Sequence, residues 1–137
     1  MLLLAGVTLP APDDAAILVV DDDLDMRAML RDVLARAGFR VEEAATSDEL
    51  FRLVPRVEPA AIILDHEMPG DWGLEVLAAL RSAHPEVPVI FVTAFGSAAM
   101  RDAATRDGAA AYLAKPFRLD DLIATLHRLV APSRLAS

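Results

Sequence analysis

Ala60-Ala61-Ile62-Ile63-Leu64 is apolar at every position and breaks off at Asp65, with Pro69-Gly70 close behind. A run of strand length without polar alternation suits a strand covered on both faces, as in the middle of a parallel sheet. Ligands in such sheets bind beyond the carboxyl ends of the strands, so Asp65 stands at the mouth of any site.

The rest of the chain repeats this plan. Ala16-Ile17-Leu18-Val19-Val20 is wholly apolar and stops at Asp21-Asp22-Asp23. Met26, Leu30, Val33, Leu34 and Ala37 then recur at helical spacing, with Asp23 or Asp25 as N-cap and Gly38 as stop. Phe39–Ala44 reads as a half-polar strand near an edge. A short helix from Ser47 is expected to end at Pro55. Beyond the central strand, Gly73, Val76, Leu77 and Leu80 mark a helix to about Ala83. Val87–Val92 is predicted as a fourth strand, with Pro88 tolerable only near its start, and it ends at Thr93. A helix capped by Ser97 runs to Arg106, and Ala110–Ala114 forms a fifth strand before Lys115-Pro116. The last helix, from Leu119 or Asp120, buries Leu119, Leu122, Ile123, Leu126 and Val130. Strand and helix alternate five times, which calls for a parallel sheet with helices on both faces and right-handed crossovers.

With 137 residues there is chain for one domain with a real core, expected over 15–131 between a disordered leader at 1–14 and a short tail at 132–137. Met1–Leu4 lacks the basic flank and length of a signal peptide, and no apolar run approaches membrane-spanning length. The net charge of −8 argues against direct nucleic-acid contact, because phosphate binding needs a basic surface. The chain has no cysteine, so it has no disulfides and no thiolate metal sites, which fits a cytoplasmic protein.

The strand ends carry Asp21 and Asp22, Asp65, Thr93 and Lys115. Three carboxylates brought together raise one another's pKa unless a cation sits among them. Oxygen donors without cysteine or paired histidine favour Mg²⁺, which readily accepts phosphate oxygens as further ligands. A hydroxyl and an ammonium beside a metal-bound carboxylate match the needs of a phosphoryl group. Asp65 on the central strand is therefore the expected nucleophile, in aspartyl-phosphate chemistry.

Val19-Val20-Asp21-Asp22-Asp23, Leu64-Asp65-x-x-Met68-Pro69, Val92-Thr93-Ala94 and Ala114-Lys115-Pro116-Phe117, in this order, resemble the signature blocks of the bacterial response-regulator receiver domain. The resemblance covers roughly residues 15–131. It implies a flavodoxin-like (βα)5 fold, α/β with a doubly wound parallel five-stranded sheet of order 2-1-3-4-5. It further implies that a sensor histidine kinase or phosphotransfer protein phosphorylates Asp65. Asp22, Asp65 and the backbone carbonyl of Glu67 would bind Mg²⁺, with Asp21 acting mainly through a water. Thr93 would hydrogen-bond the phosphoryl group and Lys115 would pair with it. Tyr112 matches the aromatic that turns inward as Thr93 moves, and the Lys115–Pro116 bond matches one that is commonly cis. The output domain or protein would meet the last two helices and the strand between them, and phosphorylation can drive homodimerisation.

Three other readings compete. A Mg²⁺-dependent phosphohydrolase with Asp65 as nucleophile needs a cap or substrate pocket, and no insertion is long enough to build one. A phosphorylation-independent scaffold has no use for the intact set of Asp21, Asp22, Asp65, Thr93 and Lys115. A flavin carrier of similar fold would meet three aspartates where it needs a phosphate cradle.

Several residues have ordinary roles as the alternative. His66 should point away from Asp65 and is read as a solvated loop residue, with His84 and His127 as exposed helix-end residues. Asp23 belongs to the helix start. Glu67, two residues after Asp65, is expected to alter the lifetime of an aspartyl phosphate, and Phe95 to add apolar cover over the same water path. Trp72 has no assigned role. The Ser97–Arg106 helix offers only Ala99, Met100, Ala103 and Ala104 inward, so it should be loosely held.

Overall fold

The computed structural model describes residues 15–130 and, by backbone alone, Leu2–Leu4 and Val7–Leu9. These two three-residue strands pair antiparallel, with Leu2 opposite Leu9. The remainder of the expected leader and the expected 132–137 tail lie outside the described residues.

Five strands form one parallel sheet: β1 (Ala16–Val20), β2 (Arg40–Ala44), β3 (Ala61–Asp65), β4 (Val89–Thr93) and β5 (Ala111–Ala114). Their spatial order is β2-β1-β3-β4-β5, the doubly wound order expected. Parallel registers such as Val19 opposite Ile63 and Ile63 opposite Ile90 align the carboxyl ends of β1, β3 and β4 at one edge. The sheet's first turning point lies between β1 and β3, where the chain passes to opposite faces.

Side-chain alternation builds two cores. Ile17, Val19, Ile63 and Val92 face α1 (Leu24–Arg36) and α5 (Leu119–Val130), meeting Leu30, Leu34, Leu122 and Leu126. Leu18, Val20, Ile62, Leu64 and Phe91 face α2 (Ser47–Val57), α3 (Gly73–Ala83) and α4 (Ala98–Arg106), meeting Leu50, Leu77 and Leu80. Strands this apolar can only be buried on both sides, which is why their ends, and not their faces, carry the chemistry. Among the described residues no helix is long and apolar enough to cross a membrane.

Helix boundaries follow local chemistry. Asp23 caps α1 by accepting from the amides of Asp25 and Met26. Ser97 caps α4 through the Met100 amide, as expected. Helix α2 starts at Ser47, as expected, and its cap is Thr46, whose hydroxyl accepts from the Glu49 amide. Pro55 does not end α2, which continues to Val57. The proline removes one donor, yet the next turn closes through the Glu58 amide on the Val54 carbonyl, with Glu58 in the left-handed region at φ 50°. β4 starts at Val89 and not Val87, because the Val87 amide is taken by His84 and Pro88 has none to give.

Candidate functional site

Asp65 closes β3 and is 3% exposed, and Asp21 follows β1 and is equally buried. Asp22 is exposed beside them. One oxygen from each of the three carboxylates lies within 4.8 Å of the others. The Asp21 loop is fixed from both sides: its carboxylate accepts from the Asp23 amide at 2.9 Å, and Arg27 Nη1 donates to its carbonyl at 2.6 Å. Arg27 also reaches Glu43 on β2, which Arg31 shares, so α1 is tied to the sheet edge beside the site. Those two guanidiniums hold Glu43 below the usual carboxylate range, led by the Arg31 hydrogen bond.

Lys115 arrives from β5. Its amide donates to the Thr93 carbonyl at 2.8 Å, and its Nζ donates to Asp65 Oδ1 at 3.0 Å while standing 3.9 Å from Asp21 Oδ2. The Lys115–Pro116 bond is cis. Burial pushes Asp65 up to about 6, with the Asp21 and Glu67 charges adding to it and the Lys115 hydrogen bond opposing it. Burial likewise raises Asp21. For Lys115, burial works against the charged form, but the Asp65 hydrogen bond and the surrounding negative charges outweigh it and hold the ammonium above its ordinary value.

Thr93 ends β4 fully buried. Its hydroxyl donates to Glu67 Oε2 at 2.5 Å and accepts from the Phe95 amide, while the Ala94 amide donates to Glu67 Oε1 at 2.7 Å. Glu67 is placed there by a ribbon in which Glu67–Met68 pairs antiparallel with Asp71–Trp72. Pro69-Gly70 joins the two, and Gly70 sits at φ 79°, the proline-then-glycine arrangement of a type II turn. Tyr112 on β5 is half-buried, its hydroxyl donating to the Phe95 carbonyl at 3.5 Å and the Arg101 guanidinium lying 5.5 Å over its ring. A cavity of about 540 Å³ opens beside the carboxylates between Asp22, Glu67, Trp72, Phe95 and Met100.

Two expectations need correction. His66 is not a solvated loop residue but 5% exposed. Its amide donates to the Val92 carbonyl at 2.8 Å, so β3 pairing persists past Asp65 and the imidazole falls on the Leu64 side of the sheet. There it meets the Phe91 ring at 5.3 Å and Trp72 edge-on at 4.7 Å, and burial lowers its pKa. The direction read from alternation is right, but that side is core and not water. In α4, Ala104 is buried and Met100 and Ala103 half-buried as expected, whereas Ala99 is exposed. The contacts of the Glu67 carboxylate with Thr93 and Ala94, and of Arg27 with the Asp21 carbonyl and Glu43, depend on tertiary placement that the residue pattern does not carry.

The donor set suits a hard divalent cation. It offers carboxylate oxygens alone, and a cation among them would offset the burial and repulsion that raise Asp21 and Asp65.

The family model for the response regulator receiver domain matches residues 17–127. The chain belongs to this family. Response regulator MprA from Mycobacterium ulcerans is 40% identical over 87% of the chain and 51% of its own length. The receiver domain thus spans about half the length of the curated relatives it matches. Among solved structures, chemotaxis protein CheY4 of Vibrio cholerae is 31% identical with a TM-score of 0.78, covering 85% of this chain and 98% of that one. A Burkholderia pseudomallei response regulator, described with a phosphorylated aspartic acid, a calcium ion and citrate, is 32% identical with a TM-score of 0.76 over 82% of this chain and 66% of that one.

Proposed function

We propose that this receiver domain accepts a phosphoryl group on Asp65 in a Mg²⁺-dependent reaction and switches a partner-binding face. The observation that carries this reading is the convergence of Asp21, Asp22 and Asp65 at one sheet edge with Lys115 hydrogen-bonded to Asp65. The phosphorylated aspartic acid of the Burkholderia relative supports it. A histidine kinase or a phosphotransfer protein is the donor. The Asp65 carboxylate oxygen forms the new bond to phosphorus as the nitrogen–phosphorus bond of the donor's phosphohistidine breaks, and the leaving imidazole nitrogen takes a proton from water.

Asp21, Asp22, Asp65 and the Glu67 carbonyl would hold the Mg²⁺, with Asp21 acting mainly through a water. Bound there, the ion supplies counter-charge for the carboxylates and the incoming phosphoryl oxygens. Lys115 then exchanges part of its contact with Asp65 for the phosphoryl group, and Thr93 hydrogen-bonds it. Movement of Thr93 lets Tyr112 turn inward, shifting the population toward a conformer whose α4–β5–α5 face meets an output domain, an output protein or a second copy. The domain is a cytoplasmic switch that assists its own phosphorylation and hydrolysis and does not turn over external substrates. Its aspartyl-phosphate lifetime depends on Glu67, and an unchanged lifetime in Glu67→Asn would remove that role.

Acetyl phosphate with Mg²⁺ is expected to add a phosphate-sized mass to the wild type and nothing to Asp65→Asn, with Mg²⁺ alone quenching Trp72 fluorescence. Neither response from folded wild type would leave a phosphorylation-independent scaffold in its place.

A further inference from the structure

We propose that the Glu67 side chain is a built-in competitor of the phosphoryl group: its carboxylate occupies the Thr93 hydroxyl and the Ala94 amide until the phosphoryl group displaces it. The inference rests on Asp65 being the acceptor, as argued above.

The geometry is that of an anion in a donor pair. Two oxygens of one carboxylate take an O–H from Thr93 and an N–H from the next residue, at 2.5 and 2.7 Å. Both donors sit at the carboxyl end of β4, beside the Asp65 strand. Charge-assisted hydrogen bonds of this kind are short and about twice as strong as neutral ones. The ribbon through Pro69-Gly70 supplies the reach, since it anchors Glu67 at its base by pairing with Trp72.

A phosphoryl group on Asp65 needs the same donors. It brings three acceptor oxygens and a charge of roughly −1.5 to −2. Lys115 can satisfy part of this, but the Thr93 hydroxyl has a single proton and so has the Ala94 amide. Neither can serve Glu67 and a phosphoryl oxygen at full strength together. Like charge adds to the exclusion, because the Glu67 carboxylate already disfavours ionised Asp65. The side chain must therefore swing out as the switch closes, toward the open cavity it borders with Trp72 and Phe95. Phe95 is 65% exposed and Trp72 55% exposed, so nothing large has to move to let it pass. This role belongs to the side chain and is separate from metal ligation by the Glu67 carbonyl, which substitutions preserve.

The test separates occupancy from charge. Glu67→Ala removes both, whereas Glu67→Asp keeps the charge on a stem one methylene too short to reach both donors. Beryllofluoride affinity at saturating Mg²⁺ and the Ala94 amide proton shift are measured by NMR on the full chain, whose spectrum also shows that each variant is folded. The expected result is that both variants lose the downfield Ala94 shift of the resting wild type and bind beryllofluoride at least about tenfold more tightly, the loss of one charge-assisted hydrogen bond. Binding to wild type with Glu67→Asp unchanged in affinity and Ala94 shift would overturn the competition and leave only charge. Absence of beryllofluoride binding in every variant and in wild type would overturn the acceptor reading, and the competition with it.

Discussion

Lys115 Nζ and Asp65 Oδ1 stand 3.0 Å apart across 50 residues of sequence, joined over the end of β4. The contact opposes the burial that pushes Asp65 up to about 6. Lys115→Ala removes a hydrogen-bond donor and a positive charge together, so Asp65 is expected to titrate higher still. Carboxyl-carbon NMR of selectively labelled protein in chelator reads this directly. An Asp65 titration that stays in place or falls would contradict the assigned coupling.

The same shift makes stability depend on pH. Asp65 ordinarily titrates near 3.8 and in the fold at about 6, so the folded state binds its proton more tightly than the unfolded state. The stability this contributes is complete below about pH 4 and is lost as pH rises through about 6. Asp65→Asn, which never ionises, is therefore expected to be more stable than wild type near neutral pH in chelator, by on the order of 1–3 kcal/mol, with the gap closing toward pH 4. Mg²⁺ should stabilise the wild type alone, by mass action. Urea unfolding at both pH values, with and without Mg²⁺, measures all of this. A gap that widens on acidification has the wrong sign.

Helix α4 buries only Ala104 completely, while α5 buries Leu122, Leu126 and Val130. Alanine removes little area from water, so α4 should open more readily than its neighbour. Amides over residues 102–106 are expected to exchange faster than those over 123–130. Equal protection would show that α4 is not the weakly held element.

Gly73 opens α3 directly against His66. A Cβ there would lie 2.5 Å from His66 Nδ1 and 2.6 Å from its Cα. The ring could yield, but the backbone cannot without moving β3. Gly73→Ala is expected to destabilise the fold by about 1–3 kcal/mol, measured by urea denaturation, and His66→Ala should not restore the loss. Full rescue in the double variant would place the conflict in the ring alone.

The sheet and its mouth were legible because the signal is coarse and repeated. Wholly apolar runs ending in Asp21, Asp65 and Thr93 can lie only in a covered parallel sheet, and order alone then brings their ends together. Asp23 and Ser97 were readable as caps because capping is decided within three residues. Pro55 misled because its cost depends on the turn that follows, and Glu58 closes that turn.

Long-range geometry was not legible. Histidine reads as polar, so the pocket between Phe91 and Trp72 that buries His66 could be seen only in three dimensions. Nothing in Asp65-His66-Glu67 announces that the Glu67 carboxylate binds Thr93 and Ala94, because that depends on how the Pro69-Gly70 turn aims the strand before it. Likewise, alternation tells neither that Arg27 braces the Asp21 carbonyl nor that Asp22 stays exposed while Asp21 is buried.

Acetyl phosphate and Mg²⁺ followed by borohydride, which reduces an acyl phosphate to an alcohol and so marks its carbon permanently, distinguish Asp65 from the carboxylates around it. Peptide mapping is expected to find the mark on Asp65 alone and to lose it when Mg²⁺ is withheld. A mark on Asp21, Asp22 or Glu67, or none on folded protein, would contradict Asp65 as the phosphoacceptor.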